Sequence, residues 1–135
     1  MKTKIIETIK RLKNAMFLSP ASNIEVEQAE KTLQLKFAPE YKEYVLNFGV
    51  ATAQGVELTG LTNSPRLSVI SVTERERSLS GIPQNMYVVN CSDMENSVIL
   101  QDETGTIYEF RHESLTPIFS SLSEYISSLQ GGDAI

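Results

Sequence analysis

Residues able to do chemistry are sparse in this chain. His112 is the sole histidine and Cys91 the sole cysteine. A His-based metal site, a Ser–His–Asp triad or a Cys–His nucleophile would have to be assembled around them. Cys91 closes the apolar run Met86–Cys91, which reads as a central strand covered on both faces, where a small buried hydrophobe belongs. Carboxylates occur in two close pairs, Asp93/Glu95 and Asp102/Glu103. Acid–base catalysis needs two carboxyls whose surroundings push their pKa values apart, usually through burial. Both pairs fall in loop-like sequence, where solvated acids are expected. Neither GxGxxG nor GxxxxGK[ST] occurs, so the sequence offers no glycine-rich phosphate cradle. The expectation is a non-enzyme without metal or cofactor.

Charge points to recognition instead. The 135 residues carry 12 basic and 17 acidic side chains, a net charge of −5. Residues 1–13 hold five of the bases (Lys2, Lys4, Lys10, Arg11, Lys13) and one acid (Glu7), which leaves 7 basic against 16 acidic residues, or −9, in the remainder. Such a body repels nucleic acid and anionic membranes and attracts basic partners over about a Debye length. The five early bases fit the solvated face of an amphipathic helix.

With 41% hydrophobic and 21% charged residues, the composition is that of a globular domain. No apolar run approaches the roughly 20 residues of a membrane helix. The segment after Met1-Lys2-Thr3-Lys4 is too polar for a signal-peptide core. A lone thiol suits a reducing compartment, so the cytoplasm is expected.

The elements follow from periodicity. Ile5, Ile9 and Leu12, widened by Ile6 and Met16, predict an amphipathic helix over residues 3–14. Ser22 with Glu25 forms a capping box that opens a helix from Ile24 to Leu35, burying Val26, Ala29 and Leu33. Pro39 takes the first turn of a third helix, with Tyr41, Tyr44, Val45 and Phe48 on one face and Gly49 stopping it. Apolar stretches near 55–61 and 66–72 read as strands. Thr73 with Glu76 reads as a second capping box, opening a short helix that ends near Gly81. Strands Met86–Cys91, Ser97–Gln101 and Thr106–His112 follow, the last two joined by the hairpin loop Asp102-Glu103-Thr104-Gly105. In the last strand Tyr108 and Phe110 share one face. A closing helix is expected from Thr116-Pro117, with Ile118, Phe119, Leu122, Tyr125, Ile126 and Leu129 as its stripe.

Helices first and strands later indicate an α+β fold: one domain over residues 1–135, with a core of roughly 3–129 and a tail of 130–135. The expected sheet is mostly antiparallel and of mixed order, with helices packed chiefly on one face.

One stretch carries a resemblance: Phe37-Ala38-Pro39-Glu40-Tyr41-Lys42-Glu43-Tyr44-Val45-Leu46-Asn47-Phe48-Gly49, preceded by the helix that begins Ile24-Glu25. It resembles the SUKH superfamily, which includes bacterial immunity proteins and fungal cell-wall assembly regulators. The likeness continues through the Val69–Thr73 step, the Ile82-Pro83 turn, Asp102-x-x-Gly105-x-Ile107-Tyr108, and the helix with Phe119, Tyr125, Ile126 and Leu129. The resemblance implies an antitoxin that neutralises a cognate polymorphic toxin by tight protein–protein binding, many such toxins being nucleases. The alternative it implies is a non-catalytic regulatory scaffold of cell-envelope synthesis. For a basic toxin domain, the expected contact residues are Glu57, Glu74, Glu76, Asp93, Glu95, Asp102 and Glu103.

Overall fold

The computed structural model describes residues 4–54, 56–92 and 97–129. Helix α1 (Lys4–Lys10) buries Ile5, Ile6 and Ile9. It ends before the expected residue 14, because the chain turns at Asn14 (φ 58°) into strand β1 (Met16–Phe17). Met16 therefore pairs with Thr52 rather than extending the helical stripe, and is 70% exposed. Helix α2 (Asn23–Leu33) opens on the expected capping box: Ser22 Oγ accepts from Glu25 N, and Glu25 Oε1 accepts from Ser22 N at 2.8 Å. Val26, Ala29 and Leu33 are buried as its spacing predicts. Helix α3 (Pro39–Phe48) has proline in its first turn and buries Tyr41, Tyr44, Val45 and Phe48. Gly49 ends it at φ +70°, where a Cβ would lie 2.1 Å from the Ser19 carbonyl oxygen, so only glycine fits.

Strands β2 (Ala51–Ala53) and β3 (Val56–Glu57) join β1 in an antiparallel sheet of order β1-β2-β3. Strands β4 (Tyr87–Ser92), β5 (Ser97–Gln101), β6 (Ile107–Arg111) and β7 (Ser114–Phe119) form a second antiparallel sheet in sequence order. Thr59 seams the two sheets. Its N–H donates to the Val89 carbonyl at 3.0 Å, and its hydroxyl donates to the Val88 carbonyl at 2.7 Å.

Three local expectations are corrected. Residues 66–72 are not a strand: Ser68 caps helix α4 (Val69–Leu79), accepting from Ser71 N. Val69, Val72 and Thr73 stand at i, i+3 and i+4, and a short apolar run suits a helix face as well as a strand. Thr73 is thus inside the helix, and its hydroxyl accepts from Val88 N at 3.0 Å. Strand β4 is an edge in its sheet rather than central. Its Tyr87-Val88-Val89 run is nevertheless fully buried, because Thr59 and Thr73 satisfy its outer edge. Finally, Thr116 and Pro117 lie in edge strand β7, where proline's missing donor is tolerated, and helix α5 spans Leu122–Leu129.

Pairing sorts the four-stranded sheet into two faces. On one, Tyr87, Val89, Ile99 and Ile107 join the main core with residues of α1, α2, α3 and α5. On the other, Val88, Val98 and Leu100 pack under Val72, Ile82 and Met86, with Tyr108 and Phe110 at the margin. The main core contains a knot of aromatic rings: Tyr41 lies 4.8 Å from Tyr87, 5.1 Å from Phe37 and 5.4 Å from Tyr44. Each tyrosine hydroxyl there is satisfied. Tyr41 bonds the Thr59 hydroxyl. Tyr44 donates to Thr59 O and accepts from Ala51 N. Tyr87 donates to Gln101 Oε1 and accepts from Ala38 N. The result is a mixed α+β domain with most helices on one face.

Candidate functional site

The structure divides the seven predicted acids among separate elements. Glu57 lies in β3, and its Oε1 accepts from Arg66 Nη1 at 2.7 Å across an exposed ion pair. Glu74 and Glu76 lie in α4. Two residues apart on a helix, they point about 200° from each other. Glu74 is exposed, whereas Glu76 turns inward to accept from the Ser80 hydroxyl at 2.6 Å and to meet Arg75 at 3.6 Å. Asp102 is 9% exposed and builds the β5–β6 hairpin. Its Oδ1 accepts from Thr104 N at 3.0 Å, and its Oδ2 accepts from the Tyr108 hydroxyl at 3.0 Å. Desolvation, and then the Asp102 carboxylate, raise the Tyr108 phenol above its ordinary pKa. Glu103 is exposed beside it. Asp93 and Glu95 lie outside the described residues.

The groups considered for nucleophilic chemistry stand apart. Cys91 pairs with Val98, and Val98 with Phe110, so Cys91 and Phe110 are two strand spacings apart, about 10 Å. His112 lies two residues beyond Phe110, in the exposed turn after β6. Among the described residues, no three His, Cys, Asp or Glu side chains gather as a metal site, and no helix is long and apolar enough to cross a membrane.

Two open grooves flank α2. One, of about 570 Å³, is lined chiefly by uncharged residues, among them Gln28, Thr32, Thr62 and Asn63. The other, of about 740 Å³, contains Glu27, Glu30, Lys31, Lys36 and Lys42. Glu30 is already committed there, accepting from Phe37 N at 2.9 Å and lying 3.9 Å from Lys42.

Recognition rather than reaction suits one further surface, which acidity alone did not flag. Two cross-strand rows run over the α4 side of the four-stranded sheet: Val88–Leu100–Tyr108–Pro117 and Val98–Phe110–Leu115. Burial falls steadily along both. Val88 and Leu100 are fully buried, Tyr108 is half-buried, and Pro117 is exposed. Val98 is buried, Phe110 half-buried, and Leu115 39% exposed. Val72 of α4, with Ile82 and Met86 after the helix, therefore covers β4 and β5 and leaves β6 and β7 open. Leu79, seven residues after Val72 and so on the same helical stripe, is 75% exposed. The sequence signal for this surface was the alternation of Tyr108 and Phe110, which continues as Leu115 and Pro117 once β7 is recognised as a strand.

These features define a class, an α+β domain whose sheet is helix-covered on one face and half-covered on the other. The chain belongs to the SUKH_5 family, described as SMI1-KNR4 cell-wall, whose model matches residues 2–129. SUKH domains are in general non-catalytic immunity or regulatory proteins that act through protein–protein interaction. No curated protein matches the chain in sequence.

Proposed function

We propose that this chain is an immunity protein that neutralises a cognate toxin domain in the cytoplasm, by stoichiometric binding and without chemistry of its own. The family match over residues 2–129 carries the reading. Charge supports it: the −9 balance beyond residue 13 suits a basic partner, and a nuclease, whose substrate is a polyanion, presents such a cleft. Acidic groups on the inhibitor then steer encounter as well as fill the site. The test is protection: cells producing the toxin encoded beside this chain's gene should survive when the chain is co-expressed. Replacing Glu57, Glu74, Glu76, Asp93, Glu95, Asp102 and Glu103 together by alanine should lower protection, and undiminished protection rejects the acids as the contact set.

The family description, with its cell-wall connection, favours a second reading: a regulatory scaffold that binds an enzyme of cell-envelope synthesis. A scaffold rescues no toxin-producing cell, and its deletion changes wall composition instead. The two outcomes separate the readings.

A further inference from the structure

We infer that the open half of the α4-side sheet face is where the toxin domain docks, with Phe110, Leu115 and Pro117 as its apolar centre and Glu103 and Glu113 as its acidic rim. The inference rests on the immunity reading for the partner's identity, and on the structure for the surface. The sheet face is finished over β4 and β5 by Val72, Ile82 and Met86, and unfinished over β6 and β7. Leu115 (39% exposed) and Pro117, in β7 beside Phe110 and Tyr108, stand beyond that cover. A contiguous apolar strip that a domain's own helix stops short of covering is the usual core of an interface, and a polar rim completes it.

The rim identifies the occupant. Glu103 lies in the β5–β6 hairpin, beside the Asp102 carboxylate that holds the Tyr108 hydroxyl. Glu113 lies at the other end, in the β6–β7 turn. Two cations, one on β6 and one on α4, turn elsewhere. Arg111 alternates to the opposite face, and Arg77 Nη2 donates to Leu33 O and Gln84 O, both at 2.8 Å. A second copy of this chain would bring the same acids against one another, and like charges facing across an interface cost affinity. A partner with apolar side chains ringed by lysine and arginine meets both the centre and the rim.

The test uses purified chain and, as probe, the purified C-terminal domain of the secreted protein encoded beside its gene. Leu115→Arg and Pro117→Arg place a cation at exposed positions, so folding is little disturbed, as the thermal midpoint checks. Each should weaken binding tenfold or more, and the double variant about a hundredfold. Met16→Arg and Ile24→Arg, at the exposed apolar positions of β1 and α2, should bind as the wild type does. If the wild type binds and the Leu115 and Pro117 variants bind equally well, this surface is wrong while the immunity reading stands. If the wild type does not bind the probe, the immunity reading falls and takes this surface with it.

Discussion

Glu40, in the first turn of α3, caps the first turn of α5 by accepting from the backbone N–H of Leu122, 82 residues away. The same carboxylate accepts from Ser123 N, the Ser123 hydroxyl and Gln101 Nε2. Helix α5 thus begins on an anion supplied by another helix, which satisfies its free amides and complements its dipole. Glu40→Ala should cost about 2–3 kcal/mol, more than an ordinary cap, because several partly buried donors lose their acceptor. Denaturant unfolding measures the loss, and amide exchange should place it first in α5.

Alkali should expose the aromatic core. Burial raises the phenols of Tyr41, Tyr44 and Tyr87 above their ordinary pKa. An unfolded tyrosine releases its proton near pH 10, whereas these keep theirs in the folded state. Above that pH the unfolded chain binds fewer protons than the folded one, so stability falls as pH rises. Below about pH 9 these groups give no slope. Thermal midpoints across pH 8–11 should show a flat region and then a decline, with phenolate absorbance from the three rings appearing only with unfolding.

The β6–β7 connection has an unusual sequence. His112 (φ 53°) and Glu113 (φ 64°) both adopt left-handed backbone in a two-residue turn, a geometry that favours Asn-Gly. Replacing both by Asn-Gly should stabilise the fold by about 1 kcal/mol through relief of backbone strain. Because the substitution also removes Glu113 from the docking rim, stability and toxin binding should move in opposite directions.

Gly60 and Gly81 offer a contrast between crowding and conformation. A Cβ on Gly60 would lie 2.0 Å from the Gly49 carbonyl oxygen, and neither backbone can give way cheaply. Gly60→Ala should therefore destabilise by several kcal/mol, in the range of severe core overpacking. At Gly81 nothing lies within 4 Å, and only φ +73° opposes a side chain. Gly81→Ala should cost about 1 kcal/mol. Parallel melting curves of the two variants test the distinction.

Helices with a strong punctuation signal were legible from sequence. Ser22–Glu25 and Pro39–Gly49 name their own ends, and the stripes between them left one choice of buried face. The α4 and β7 segments were not legible, for a shared reason. Val69–Val72 and Thr116–Phe119 are short apolar runs, in which local spacing is compatible with helix and strand alike. Long-range partners decide them: Val88 N for Thr73, and the β6 ladder for Pro117. The acids were legible as a charge balance but not as a surface. Whether a carboxylate faces solvent depends on neighbours such as Arg66, Ser80 and Thr104, which meet it only after folding.

Thr59 holds β4 through its amide and hydroxyl, while its carbonyl receives the Tyr44 phenol and its hydroxyl meets Tyr41. One residue so placed rivets three parts of the molecule, and none of them can swing free while it stays engaged. The domain should come apart in a single step rather than shedding its small sheet first, and the Thr59 amide should be among the last to take up deuterium.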